Sequence, residues 1–525
     1  MLSRPVMREP NDLHLDQADQ AAIEARGLTL EEVARQRDLL AGSATYRVLD
    51  RPATVGDGVR KLSPKEIEAC LSEFSQAALA GRYLSFVPAS GAASRMFKTL
   101  LEAKSSGRAL DRQSLESSDA PEDLDVLTTF SSIDRLAIED DLARYLDETE
   151  TGLETTIRSG NYAPLVDALL DAQALNLPAQ PKGLLPFHRY PNAARTAFEE
   201  HLREAGSLLA DHDGHARVHF TVSPQHQDQF EQTLSRVAPA IQKTQAIEFR
   251  HSFSTQAPST DTIALDANGE LFRTGDGEIL FRPGGHGSLL HNLDQLDGDF
   301  VFIKNIDNIV PDDRREPILH WRRILGGLLA LLQRETLQWR EKLQRSPNEP
   351  SVLEAAGNFL NEELGLALDK PVPALLEEVA GRPMRVCGVV GNTGDPGGGP
   401  FWVRAHDGSV SRQIVETAEI DPDDPEQTRN LEEATHFNPT DMVCALRDAA
   451  GQPFDLGDFV DTEAVFVARK SSEGRDLLAL EHPGLWNGSM AGWTTIFVEV
   501  PRETFQPVKS LLDLLGPGHA PSPSA

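Results

Sequence analysis

From residue 181 to about residue 340, short apolar runs alternate with amphipathic stretches. "PKGLLPFHRY" leads into "TAFEEHLREAGSLL". "ARVHFTVSP" precedes "QHQDQFEQTLSRVAPAIQ", and "IEFRHSFS" follows. "DFVFIKNIDNIV" opens onto a long run that places Ile318, Trp321, Ile324, Leu325, Leu328, Leu331 and Leu332 on one stripe. Runs of the first kind read as strands, "DFVFIKNIDNIV" as a buried one, and those of the second kind as helices. "RYLSFVP", before residue 90, is a further buried strand of the same kind. Strands alternating with helices argue for an α/β core with a mainly parallel sheet. Within that pattern "DTIALDANGELFR" reads as a hairpin turning at Asn-Gly.

The flanks differ. Residues 1–80 are expected to form a helical N-terminal region, and 99–180 a helical, acidic insertion into the core. After about residue 380 the chain turns β-rich, with "MRVCGVV", "GPFWV", "VSRQIVETAEI" and "TTIFVEV". The expected organisation is therefore a core over 81–380, a β-rich part over 381–515, and a disordered tail over 516–525. With 525 residues, two or three domains are expected, or one large domain with insertions.

A net charge of −31 argues against general nucleic-acid binding. It also means that a site for a small anion must gather its own positive charge. No apolar run is long enough to cross a bilayer, so no membrane partner is expected. The N-terminal segment has no apolar signal core, and the three widely spaced cysteines suit a reducing compartment, so a cytoplasmic location is expected.

The stretch "VPASGAASRMFK" runs from a strand through small residues to Arg95 and Lys98. Small side chains at Ala89, Ser90, Gly91 and Ala92 let a backbone approach an anion, and amides at a following helix start point at it. Arg95 adds a charge-assisted donor. The phosphate loop with its Gly-Lys-Ser/Thr ending, the dinucleotide fingerprint and the serine elbow are all absent. A tight strand-to-helix turn explains the same residues without a ligand. Three more stretches carry chemistry: Lys182 in "PKGLLPF", His286 in "FRPGGHGSLL", and Asp307 with Asn308 at the end of "FIKNIDNIV". An acid at a strand end in an α/β sheet sits where ligands bind, and an aspartate there suits Mg²⁺. A solvated lysine, an ordinary turn and a strand-end cap are the plain structural alternatives.

Together these stretches resemble the sugar nucleotidyltransferases, most closely the UDP-sugar pyrophosphorylase branch. Pro88 to Met96 resembles the family's Leu-Ala-Gly-Gly-x-Gly-Thr-Arg-Leu loop, with Ser90 and Ala93 in place of its first and third glycines. Pro181 to Pro186 resembles its Pro-Lys-x-Leu-x-Pro step. Thr221 to Pro224, "TVSP", resembles the segment after its second core strand. Gly285-His286-Gly287 resembles its Gly-His-Gly turn, and Ile306-Asp307-Asn308 its Val-Asp-Asn strand end. "RQIVETAEID" nominates Glu416, "THFNPTDMV" nominates Asn438, and "ETFQPVKSLLDLL" nominates Lys509. The chain also resembles a bacterial family of this length known only as a domain of unknown function.

The resemblance implies a Rossmann-like nucleotide-diphospho-sugar transferase fold and a Mg²⁺-dependent reaction. A nucleoside triphosphate, UTP being favoured, would combine with a sugar 1-phosphate and release pyrophosphate. It implies catalytic roles for Arg95, Lys182 and Lys509 and a metal role for Asp307. Ala89 to Ala92 and Gly285 to Gly287 would hold the nucleotide, and Asn308, Glu416 and Asn438 the substrate. A nucleotide-sugar binding protein without turnover, or a glycosyltransferase, are the alternatives on the same fold class.

Overall fold

Tyr83–Pro88 is an unbroken apolar strand, buried at every position except its last, as a strand covered on both faces must be. It pairs in parallel with His215–Thr221, which pairs in parallel with Glu248–Ser254. The helices Ala197–Leu209 and Gln227–Gln245 precede and follow the middle strand in the chain. These elements belong to one of two compact units, built from Gln76–Thr255, Ile303–Arg323 and Arg502–Ala525. The computed structural model describes residues 13, 15–42, 46–149, 152–191, 193–395 and 397–520. Among the described residues, 99–180 are mainly helical as expected, from the end of Lys98–Ser105 through Ala163–Leu170, with one 3-10 turn, Ile133–Arg135, between.

The other unit comprises Met1–Ser75, Gln256–Phe302 and Ile324–Pro501. Its mixed sheet runs Gly58–Arg60, Thr494–Glu499, Met384–Gly391, His436–Ala445, with the last pair antiparallel and the others parallel. Two smaller antiparallel sheets accompany it. One joins Val48–Pro52, Gly398–Arg404 and Val410–Glu416. The other joins Phe281–Pro283, Asp261–Leu265, Arg475–Glu481 and Phe466–Ser472. The helices Gln17–Ala25 and Leu30–Ala41 cover this last sheet, packing Ile23, Val33 and Leu40 against Ile263, Leu265 and Leu480. The fold is mixed α/β, with the β-rich C-terminal part expected.

Several expectations need correction. Residues 1–80 are not purely helical: Val48–Pro52, Thr54–Val55 and Gly58–Arg60 are strands. Their partners in the larger strands lie near residues 400 and 497, so no local signal announces them. The strand expected over 300–310 stops at Ile303, and Asp307 lies in the turn beyond it. Of the expected tail, Gly516–Ala520 are placed and His519 is buried, while 521–525 lie outside the described residues.

Candidate functional site

In the unit containing the parallel strands, four segments that are distant in sequence are joined by backbone hydrogen bonds. The loop after Tyr83–Pro88 receives Lys182 N–H at the Gly91 carbonyl (3.0 Å), and Ala93 N–H donates to Gln180 (3.0 Å). The long helical insertion therefore leaves the loop and returns to pair with it. Val508 N–H donates to the Asp307 carbonyl (2.9 Å), and Leu511 N–H donates to the Met96 carbonyl (3.1 Å). Four candidate segments, around Arg95, Lys182, Asp307 and Lys509, thus form one backbone scaffold.

Two ammonium groups converge on one carboxylate oxygen at its centre. Lys182 Nζ lies 3.2 Å from Asp307 Oδ2, and Lys509 Nζ lies 3.1 Å from the same atom. Lys182 also donates to the Val508 carbonyl. Its side chain is 12% exposed and that of Asp307 9%, whereas Lys509 is 60% exposed. Burial would raise the Asp307 pKa, but the two lysines outweigh it and hold the carboxyl below its ordinary range. Burial dominates at Lys182 and lowers its pKa, against the pull of Asp307. Asp307 Oδ1 is buried with no hydrogen-bond partner.

The Lys182 position follows from packing. Lys182–Leu184 is a 3-10 turn, and a Cβ on Gly183 would come within 3.2 Å of the Phe230 ring and 3.3 Å of Ile306. The turn thus seats closely against Phe230 and Ile306, which fixes the lysine beside it. Behind Asp307, the buried His201 donates from Nε2 to the Ile306 carbonyl (3.1 Å); burial lowers its pKa to about 4, so the ring is neutral at physiological pH.

The small-residue loop is open. Ser90, Gly91 and Ala92 are exposed, and among the described residues their amides have no acceptor. A Cβ on Gly91 would meet nothing within 4 Å. Ala89 is buried and ties back to the Thr221 carbonyl (2.7 Å), so it anchors the loop. Arg95 is exposed and makes no ion pair among the described residues. The helix does not follow the loop directly: it begins at Lys98, after a turn over 94–97. The donors left open here are the loop amides and Arg95, and no helix end adjoins them directly.

Asn308 does not present its side chain to a ligand. It is buried, donates to the Thr504 carbonyl (3.4 Å) and accepts from Gln506 N–H (2.9 Å), clamping the segment that carries Lys509. The strand-end motif is thus divided between a charged residue and a structural clamp.

The remaining candidates lie in the other unit. Gly285 adopts φ +76°, and the Gly284–Gly287 turn presses so closely on Glu481, His482 and Pro483 that side chains would collide. His286 stacks on Trp486, with ring centroids 4.3 Å apart. Its Nδ1 accepts from Leu485 N–H (3.1 Å), so the neutral ring carries its proton on Nε2, 3.9 Å from Glu416 Oε1. Burial lowers the His286 pKa, with Glu416 and Glu481 opposing. Trp486 Nε1–H donates to the same Glu416 oxygen (3.2 Å). The sequence reading did not single out Trp486; the only signal was a tryptophan set in "GLWNGS". Asn438 is buried, and its Oδ1 accepts from Thr440 N–H (3.3 Å) inside an irregular stretch of the strand His436–Ala445. Like Asn308 it bonds to backbone, here that of its own strand.

The chain belongs to the family described as "Domain of unknown function (DUF4301)", whose pattern matches residues 16–520. No curated protein matches it. Among solved structures it is similar to the uridine diphosphate N-acetylglucosamine pyrophosphorylase of Trypanosoma brucei in complex with an inhibitor. That match has 14% identity and a TM-score of 0.47, and covers 96% of this chain and 79% of the other. It is also similar to a mutant UDP-glucose pyrophosphorylase of Leishmania major in complex with UDP-glucose, at 13% identity and a TM-score of 0.44, covering 95% and 79%. Among the described residues, no helix is long and apolar enough to cross a membrane.

Proposed function

We propose that the protein is a Mg²⁺-dependent nucleotidyltransferase that joins a nucleoside triphosphate, UTP being favoured, to a sugar 1-phosphate. The observation that carries this reading is the convergence of Lys182 and Lys509 on Asp307 beside a loop of open amides. In a chain of net charge −31, two ammonium groups sharing one carboxylate are a local excess of positive charge. The order of motifs from Pro88 to Lys509 supports it independently.

The reaction is an in-line displacement. An oxygen of the sugar phosphate forms a bond to the α-phosphorus as the bond to the bridging oxygen of pyrophosphate breaks, and the electron pair leaves with pyrophosphate. Side chains do little covalent work, so catalysis rests on positioning and on neutralising phosphate charge. The amides of Ser90 to Ala92 cradle the triphosphate, Arg95 stabilises the leaving pyrophosphate, and Lys182 and Lys509 meet the α-phosphate and the sugar phosphate. Asp307 Oδ1, buried and without a partner, fits a single-carboxylate Mg²⁺ site. The metal would supply charge neutralisation on the phosphates.

A thermal-shift screen with Mg²⁺ tests the reading against UTP, ATP, GTP, CTP, dTTP and common UDP-sugars. Ligand at 100 times its dissociation constant adds about 2.7 kcal/mol of stability. A rise with UTP and a UDP-sugar is expected; no rise with any nucleotide contradicts the reading.

A further inference from the structure

Beneath the segment that carries Lys509 runs a buried hydrogen-bonded chain that the proposed chemistry does not use. Glu200 Oε1 faces His188 Nδ1 at 3.0 Å, His188 Nε2 faces His519 Nδ1 at 3.0 Å, and His519 Nε2 faces the Gln506 carbonyl at 3.1 Å. The two rings are inclined by 16°, with centroids 5.3 Å apart. That separation is about one N···N hydrogen bond plus two ring radii, so the imidazoles meet end to end rather than face to face.

The protons in this chain can be counted. The Gln506 carbonyl only accepts, so His519 Nε2 must carry a proton. Tyr190 receives Asp312 N–H at its hydroxyl (3.0 Å) and so donates its own hydrogen to Glu200 Oε1 (2.8 Å). Arg315 donates to Glu200 Oε2 (2.6 Å), and Arg195 stands 3.7 Å from the same oxygen. These donors occupy both oxygens of Glu200, so His188 Nδ1 must supply the proton of its own bond to Oε1. The central N···N bond needs one more. Three protons on two imidazoles is one more than two neutral rings hold.

We infer that His188 and His519 share one extra proton, and that this charged pair is the positioning device that holds Gln506, and with it the Lys509 arm, in place. This rests on the reading that Lys509 meets a phosphate. His188 and Glu200 are almost fully buried. The charges that face them are those of Glu200, Arg195 and Arg315, with Asp312 bridging the two arginines at 2.6 and 2.7 Å. Near His519 stands Arg314, which donates to the Ala520 carbonyl (3.3 Å). Burial, and then the charge on His188, push the protonation of His519 down to about 3, so the pair takes one extra proton and not two. Gln506 lies between the two backbone groups clamped by Asn308 and Lys182, at Thr504 and Val508, so its tether is the third along this arm. When the extra proton leaves, two lone pairs face each other somewhere in the chain, one hydrogen bond is lost, and the arm loosens.

The test uses the full chain. Nitrogen-15 NMR of histidine-labelled protein at about pH 6 counts protonated ring nitrogens directly. Three of the four nitrogens of the pair carrying hydrogen is the expected result, and two would overturn the proposal. Backbone hydrogen exchange over 502–510 is then followed from about pH 5 to about pH 10, corrected for intrinsic rates. A step to about fivefold faster exchange is expected as the pair loses its proton, the effect of one net hydrogen bond. The double variant His188→Gln/His519→Gln can complete the same chain with neutral amides and is expected to lack the step. No step in the natural chain, or the same step in the double variant, would overturn the proposal. Neither readout needs turnover, so failure of the nucleotidyltransferase reading is told apart from failure of this one.

Discussion

Lys182 and Lys509 close on the same atom, Asp307 Oδ2, at 3.2 and 3.1 Å, but from opposite surroundings. The first is buried and also tied to the Val508 carbonyl, and the second is mostly in solvent. One oxygen with two such partners makes the lysines unequal, and that inequality is measurable.

Lys182→Met removes a buried donor to both Asp307 and a backbone carbonyl. It is expected to lower stability by about 1–3 kcal/mol. Lys509→Met removes an exposed partner and is expected to stay within about 0.5 kcal/mol of the natural chain. Both are expected to weaken nucleotide binding. Urea denaturation beside calorimetric titration checks this, and equal losses of stability would contradict the assigned burial.

Asp307 governs the acid limb of stability. Its folded pKa lies below the unfolded value of about 3.9, so its contribution is present above that value and is lost as pH falls through the folded one. Asp307→Asn is therefore expected to be less stable near neutrality and to lose less on acidification. Denaturation midpoints across the acid range test it; a parallel pH dependence in the variant would count against it.

Glu419 acts with the opposite sign. Burial raises its pKa to about 7, although it accepts from Glu416 N–H and Asn487 Nδ2. The unfolded value is about 4.3, so the folded chain holds the extra proton between the two. Stability is full below about 4.3 and falls as pH rises toward about 7, at no more than about 1.4 kcal/mol per unit. Glu419→Gln is expected to flatten that slope, as read by thermal unfolding from acid to neutral pH.

The two glycines of the phosphate side separate function from packing. At Gly91 an added Cβ meets open space, so Gly91→Ala is expected to leave stability within about 0.5 kcal/mol while crowding the loop that faces the anion. At Gly183 the added atom comes within 3.2 Å of Phe230 and 3.3 Å of Ile306, which must shift to admit it, so a larger change in stability than at Gly91 is expected. Melting curves and UTP titration of both variants distinguish the effects.

What the sequence disclosed followed from locality. "RYLSFVP" carries enough apolar residues in a row to mark a buried strand, "ARVHFTVSP" and "IEFRHSFS" set apolar residues alternately among polar ones at strand spacing, and all three are strands. The grouping of Lys182, Asp307 and Lys509 was legible only as an ordered set of motifs, because their contacts span most of the chain. Asn308 and Asn438 show what pattern matching cannot separate. An asparagine that clamps backbone has the same neighbours in sequence as one that meets a ligand, and only the hydrogen bonds to Thr504, Gln506 and Thr440 distinguish them. The two units were hidden because each is assembled from three separated stretches. The His188–His519 pair gave no signal, since neither histidine lies in a recognisable motif.

The most direct test of the two-lysine centre is pyrophosphate release from UTP in the presence of Mg²⁺ and a panel of sugar 1-phosphates. The natural chain is expected to turn over with at least one sugar phosphate. Arg95→Ala is expected to be slower by about 10²–10³, as for the loss of one preorganised donor to developing charge, with its fold intact. No release with any nucleotide and sugar phosphate, or an Arg95→Ala variant as fast as the natural chain, would contradict the account.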